Sequence, residues 1–475
     1  MIALLLLAAA GVRLAAINSQ LWLDEIWSIR LAQAAGTPLG IFTDPLLHHD
    51  NNHWLNTLVL QFIGPGRPFW VYRLMPEISG IGTVVLGWLL ARRYGHWQGI
   101  CALVLLAASE FMIEFSSDAR GYAPAAFFGL LCLWLLWRLL EQPDRLTAAA
   151  LGGSAVLGIL SHLTFVAILC GLIAASALSV WRKTSWTVAL ARAALWWAVP
   201  CATILLLYLV DLRYMVRGGG PLMSDLTAQT AQMVLGLPRD FSAAVVFGVI
   251  AWLIAAVRCA RLWAAADDAW PVYAAALLMV PVFLFGLQRS DYLHPRYIFV
   301  AVPLLLMLVG IELGDWAARG RWIGGTVTTI ALAGFCVCNF FPTLQFLRLG
   351  RGQYLQALEF IVQHTGGRDV ILGADTHPKS TLMVLEYYQS YVPTDGHRLL
   401  TLRGEQWNGQ WPQWIITEQV YGPGLTMRDQ DGVPYICRAI FLNGGVASGI
   451  FWAVYESATG SAFVRPGNLA TLASQ

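Results

Sequence analysis

Long apolar runs alternate with short charged loops over the first three-quarters of the chain. A helix needs about 20 apolar residues to cross a bilayer. Runs of that order fall at roughly 1–18, 69–91, 97–115, 121–140, 146–162, 163–181, 189–210, 241–258, 269–288, 296–314 and 322–342. They predict about eleven spanning helices. The first run lacks the basic leading segment of a secretion signal and is read as a helix that stays in the protein. The 146–181 stretch fits one long helix or two, with the break at Ser161-His162. Beyond 342 the pattern changes to short amphipathic and alternating segments. Tyr354–His364 and Thr381–Gln389 read as helices. Asp369–Leu372, Trp414–Thr417, Tyr435–Leu442 and Phe451–Tyr455 read as strands. The expected fold class is a polytopic all-α membrane domain over 1–342 and a small α/β domain over 343–475.

Composition agrees with a membrane protein. Hydrophobic residues make up 57% and charged residues 12%, against about 25% charged in soluble domains. The 21 tryptophans suit the interfacial belts of a bilayer. A net charge of +2 gives no basis for nucleic-acid binding. The eight cysteines are scattered, with no disulfide framework and no metal-type CxxC pair. Nearly all cations are arginines, Lys183 and Lys379 being the exceptions, a bias that points to a GC-rich bacterial genome.

Loop charges set the expected orientation. With the N-terminus cytoplasmic, each inner loop carries a cationic pair: Arg92/Arg93, Arg138/Arg145, Arg182/Lys183, Arg258/Arg261 and Arg319/Arg321. An odd number of spans then places the C-terminal domain outside. Two outer loops are long. In the first, about 19–68, residues 21–34 and 53–63 have helical spacing suited to lying along the membrane surface. The second, about 211–240, contains Gly218-Gly219-Gly220-Pro221 and reads as a mobile lid.

Four polar clusters fall in the expected outer loops. Asp24 and Glu25 stand just past the first helix, and adjacent carboxylates on a helix diverge, so one can act as base while the other orients it or binds a cation. The run His48-His49-Asp50-Asn51-Asn52-His53 matches no strong metal-ligand spacing, and Asn52 and His53 suit substrate hydrogen bonding better. Ser117-Asp118-Ala119-Arg120-Gly121-Tyr122 and His294-Pro295-Arg296-Tyr297 each put an arginine at a helix mouth. Arg73 and Glu77, four apart, read as an ion pair along one helix, with Arg73 near the outer surface. Convergence of these clusters on one face is itself a signal of a site.

The order of these features resembles the GT-C superfamily of membrane glycosyltransferases, in the branch of dolichyl-phosphate-mannose protein mannosyltransferases and lipid A aminoarabinose transferases. The segments that carry it are LWLDEIWS at 21–28, DNNHWL at 50–55, YRLMPEISG at 72–80, SSDARGYA at 116–123 and RYIFVAVP at 296–303. Trp54 and Leu55 depart from that branch, where two prolines would stand. The resemblance implies transfer of a sugar from a polyprenyl-phosphate donor to an extracytoplasmic glycolipid, glycan or protein, by an inverting single displacement. It implies Asp24 as the base, with Glu25 orienting or secondary. It implies Arg120 and Arg296 on the leaving phosphate, with Arg73, Arg213 and Arg217 behind them. His53 and Tyr122 position sugar or acceptor, beside Asn52 and His294. Some relatives use a divalent metal, and the sequence leaves that open. The expected setting is the plasma membrane with the site on the cell-envelope side. A transporter or flippase of lipid-linked saccharides is the alternative reading, although the mid-helix positions are mostly apolar and no internal repeat is visible.

Overall fold

The computed structural model describes residues 1–48, 51–215, 225–238, 241–286, 294–320, 322–366, 369–374, 378–393, 398–402, 411–418, 426–428 and 434–458. It divides into two compact units. The first is Met1–Ile17 with Ser28–Leu344, and the second is Asn18–Trp27 with the chain from Gln345 onward.

The first unit is helical and built to lie in a bilayer. Seven described helices are long and apolar enough to cross a membrane, and a bent pair makes an eighth. Three other expected spans are helices below that length: Ile2–Ala16, Arg145–Ser161 and Trp270–Phe285. Of the about eleven expected spans, seven or eight therefore meet that length, and shorter apolar helices stand at the other three positions. Hydropathy does not register where a helix stops. Ser109 adopts an extended backbone and its hydroxyl accepts from Met112 N, capping a new helix. The expected span 97–115 is thereby split into His96–Ala108 and Glu110–Ser116, bent by 61°. Asn339 Oδ1 accepts the Glu110 N–H at 2.8 Å, so the break leaves that donor satisfied. The expected break at His162 is observed.

Helices Tyr122–Glu141 and Pro295–Ala318 form the middle of this unit, with 67% and 83% of their apolar windows buried. Trp186–Tyr214, Ala244–Ala264 and Trp322–Leu349 bury far less and present apolar side chains outward, as lipid-facing helices do. The two surface segments expected in the first long loop are helices, Leu23–Ala34 and Trp54–Ile63. The arginine-bearing loops cluster at one end of the unit. Arg93 pairs with Glu141, Arg258 with Asp315 and Arg261 with Glu312. Arg93, Lys183 and Asp267 line one cavity there of about 360 Å³. Arg321 lies outside the described residues. The helix that ends at Glu141 begins at Tyr122, about 30 Å away at 1.5 Å per residue.

The second unit holds a six-stranded mixed sheet. Its strands are β1 (Val370–Ala374), β2 (Leu399–Leu402), β3 (Trp414–Glu418), β4 (Thr426–Arg428), β5 (Pro434–Phe441) and β6 (Trp452–Ser457), in the order β2-β1-β3-β6-β5-β4. β1 runs parallel to β2 and β3, and the remaining neighbours are antiparallel. β1 is buried along its whole length, as a strand covered on both faces must be. Helices Tyr354–His364 and Pro378–Tyr388 flank β1 in the chain, and the second makes the crossover to β2. The four strands expected from the sequence match β1, β3, β5 and β6. The two others, β2 and β4, are only four and three residues long.

Candidate functional site

At the end of the first unit remote from the arginine-bearing loops, three sequence-distant segments meet. His53 is the residue before helix Trp54–Ile63, with its side chain buried. Its Nε2 accepts from Arg120 Nε at 2.9 Å. That bond places the proton of the neutral ring on Nδ1, which lies between Ser161 O at 3.3 Å and the backbone nitrogen of Gly121 at 3.2 Å. Asn56, on the same helix, donates from Nδ2 to Ala119 O at 2.7 Å and ties the two segments a second time. Gly121 makes this fit feasible. A Cβ there would stand 1.7 Å from Ser161 O and 2.9 Å from His53 Nδ1.

His162 occupies the centre of the cluster. Its ring lies 4.6 Å from that of His53, 4.6 Å from Tyr122 and 6.3 Å from Tyr297, centroid to centroid. Thr164 N donates to its Nδ1 at 3.1 Å, which leaves the ring proton on Nε2. Nε2 is buried and has no hydrogen-bond partner among the described residues. The guanidinium of Arg120 stands 6.0 Å from the Tyr122 ring, and that of Arg296 stands 5.6 Å from the Tyr297 ring. Burial first, then the charge of Arg120, holds His53 well below the usual imidazole range, with His162 and Arg296 adding to the effect. Burial, then Arg120 and Arg296, pushes His162 down to about 3. Both imidazoles are therefore neutral at physiological pH. The cluster offers two guanidinium groups, two phenols and a neutral N–H donor, a set suited to an oxyanion and a polyol.

Arg296 opens a tight helix, Pro295–Ala301, and His294 caps it by accepting from Arg296 N at 3.2 Å. Asn52, next to His53, keeps its side-chain oxygen buried with no hydrogen-bond partner among the described residues. A second pair of contacts fixes the loop carrying His53. Asp211 accepts from the Trp54 indole and bonds His48 Nδ1 at 2.6 Å. Trp54, where the resembled branch has a proline, thus provides a donor that a proline lacks. Arg213 stacks 4.5 Å from Tyr214, whose ring is 5.5 Å from His48. Arg213 therefore keeps company with the His48–Asp211 pair. His49, Asp50, Arg217 and the Gly218–Pro221 segment expected to act as a lid lie outside the described residues.

Arg73 and Glu77 do not form the expected pair. Arg73 Nη1 donates to Ile17 O at 2.9 Å, at the end of the first helix. The buried Glu77 carboxylate makes no hydrogen bond among the described residues and interacts electrostatically with Arg13 of that helix. The i, i+4 spacing put Arg73 within reach, but the arginine of the neighbouring helix takes the role.

Asp24 and Glu25 belong to the second compact unit. They stand in the first turn of helix Leu23–Ala34. Glu25 is wholly buried, and its Oε2 accepts from Trp22 N at 3.1 Å. That is half of a capping box, with the third-position glutamate reaching back to the residue that starts the helix. Asp24 is half-buried. The sequence therefore named His53, Arg120, Tyr122 and Arg296 of the cluster and missed His162, which had served only as a helix break. No local motif surrounds His162, and only the packing of its helix end against Gly121 and His53 reveals it. Among the described residues, no group of three histidine, cysteine or acidic side chains is arranged to hold a metal ion.

No protein-family model matches the chain. No curated protein matches it either. Among solved structures it is similar to the crystal structure of ArnT from Cupriavidus metallidurans bound to undecaprenyl phosphate, with a TM-score of 0.48, 12% identity, and coverage of 97% of this chain and 98% of that one. It is similar to the apo structure of the same protein with a TM-score of 0.49, at the same identity and coverage. The chain is mostly helical, with seven or eight helices among the described residues long and apolar enough to cross a membrane, and the likeness to ArnT covers nearly its whole length.

Proposed function

We propose that this chain is a glycosyltransferase that moves a sugar from a polyprenyl-phosphate donor to an extracytoplasmic glycolipid, glycan or protein. The observation that carries the reading is the meeting of three motif segments, through His53, Arg120 with Tyr122, and Arg296 with Tyr297, around the buried His162. Their order in the chain is that of the GT-C resemblance, and their joint chemistry is that of a phosphosugar site.

The reaction is a single displacement with inversion, as the resemblance implies. An acceptor hydroxyl attacks the anomeric carbon, a new C–O bond forms, and the bond from that carbon to the phosphate oxygen breaks. The hydroxyl proton passes to a carboxylate, and Asp24 is the proposed base. The bonding pair leaves on the polyprenyl phosphate, whose growing charge falls to Arg120 and Arg296. Arginine suits this role because its planar fork donates two parallel hydrogen bonds to phosphate oxygens. His162 contributes its unused Nε2–H as a neutral donor to the phosphate or a sugar hydroxyl. Neither buried imidazole is protonated, and a phosphate leaving group needs no strong general acid. Tyr122, Asn52 and His53 line the sugar or acceptor side. The reading places the protein in the plasma membrane with the cluster facing the cell envelope.

The test is mass spectrometry of surface glycolipids and glycans from a strain lacking the gene. The expected result is one missing sugar, restored by the wild-type gene and not by an inserted, folded Asp24→Asn protein. An unchanged set of glycans would refute the proposal.

A further inference from the structure

The segment that carries Asp24 is part of the unit that contains the C-terminal sheet, although more than 300 residues of sequence separate them. Four contacts bind it. Ser19 packs against Gly350, where a Cβ would come 2.6 Å from the Ser19 Cβ. Gly350 also adopts a left-handed conformation, φ +62°, that a side chain disfavours. Gln20 Oε1 accepts from Leu355 N at 2.9 Å, and Gln20 Nε2 donates to Gln356 Oε1 at 2.6 Å. Leu355 lies in the first turn of helix Tyr354–His364, where backbone N–H groups have no partner within the helix. Gln20 thus caps that helix from a distant segment. Leu21 O accepts from Tyr388 Oη at 2.7 Å, with both residues fully buried. Tyr388 stacks on Tyr354 at 5.6 Å, so the phenol that holds Leu21 is itself fixed by packing. The carboxylate of Glu25 lies close enough to Tyr354 for its charge to add to burial in raising that phenol.

We infer that the C-terminal unit acts as a clamp on the segment bearing the proposed base, with Tyr388 and Gln20 as positioning residues. This rests on the glycosyltransferase reading of Asp24. Three consecutive residues, Ser19, Gln20 and Leu21, are each held by a different part of the C-terminal chain. The helix that presents Asp24 starts two residues later. A segment that only linked a membrane helix to a surface helix would leave its backbone carbonyls to water. Here a buried tyrosine hydroxyl takes up the Leu21 carbonyl, the Gln20 side-chain amide bonds Leu355 N and Gln356 Oε1, and the acidic pair follows directly on the anchored stretch. Tyr388 and Gln20 act through the placement of Asp24 and need not touch substrate.

Full-length protein in lipid nanodiscs decides this by hydrogen exchange, read together with the sugar product in the complemented deletion strain. Tyr388→Phe and Gln20→Leu each remove one hydrogen-bonded anchor, so exchange over residues 18–27 rises about tenfold while helix Phe165–Lys183 keeps wild-type protection. The sugar product falls in both. Gln20→Glu restores protection and product, because a carboxylate still accepts from Leu355 N and the Gln356 amide turns to donate. Asp24→Asn loses product with wild-type exchange. Wild-type exchange in Tyr388→Phe and Gln20→Leu overturns the clamp, and so does raised exchange with undiminished product. Full product from Asp24→Asn overturns the catalytic reading instead, and the exchange data then decide the clamp alone.

Discussion

Replacing Arg120 by alanine tests the candidate site at its centre. Two losses follow from the geometry. His53 Nε2 loses its 2.9 Å donor inside a buried cluster, and an unsatisfied buried acceptor costs about 1–3 kcal/mol. The phosphate of the proposed donor loses a buried, charge-assisted partner, and truncating such a partner costs about 2–5 kcal/mol. The second loss acts on binding directly and weakens it roughly 30-fold to several-thousand-fold, at about 1.4 kcal/mol per tenfold. Arg120→Lys keeps the charge but not the Nε–H that meets His53, so it falls between the two. The assay is the affinity of purified protein for a polyprenyl phosphate, the leaving group of the proposed reaction, by native mass spectrometry, with Arg192→Ala, on a helix that faces outward, as the control. A buried contact is little screened, so the ratio of wild type to variant changes little between low and high salt. An Arg120→Ala protein that folds and binds within twofold of wild type would refute the assignment.

Gly121→Ala puts a methyl group against Ser161 O and His53 Nδ1. Polyprenyl-phosphate binding, as proposed, is expected to fall at least as far as in Arg120→Ala while the protein still inserts, measured in the same assay. Stability depends on pH through the depressed histidines. Between about 3 and the unfolded value near 6.5, the unfolded chain binds a proton that folded His162 refuses, so stability is full above 6.5 and lost as pH falls through this window. The slope is about 1.4 kcal/mol per pH unit for each such histidine, and His162→Asn flattens a thermal-unfolding series across pH 4 to 6. Glu418 behaves in the opposite sense. Burial raises its carboxyl to about 7 although Thr381 Oγ1 donates to it at 2.6 Å. Folded Glu418 retains a proton that the unfolded chain releases from about 4.5 upward, so its contribution is lost as pH rises through 7. Glu418→Gln therefore stabilises the protein at pH 8 by up to about 3 kcal/mol, read as slower exchange in β3.

The helical plan was legible because apolar runs of spanning length are hard to produce in any other fold. Helix ends were legible at Ser161-His162 but not within 97–115. Nothing in the hydropathy of 97–115 announces that Ser109 will cap a new helix, since that cap is a local hydrogen bond inside an apolar run. In the sheet, β1 and β3 showed as short apolar runs, whereas β2 and β4 are too short to show a period. Arg120, Tyr122 and Arg296 were visible as charged or polar residues at helix mouths. His162 was not, because it belongs to the site only through contacts with residues more than 30 positions away. Arg73 misled for the same reason: its i, i+4 neighbour was in view, and the Ile17 carbonyl that takes its guanidinium was not. Glu25 combined both cases. Its place in an acidic pair suggested chemistry, and its cap on Trp22 N is a local role that the spacing also permits.

The central claim is that a sugar leaves a polyprenyl phosphate on this protein. The most direct measurement follows a lipid-linked sugar fraction from the gene-deleted strain, added with envelope acceptor to the purified protein in liposomes. The account predicts one free polyprenyl phosphate released per sugar transferred, with none released by Asp24→Asn. A polyprenyl-phosphate sugar that crosses the bilayer intact, with no free polyprenyl phosphate formed, would contradict it.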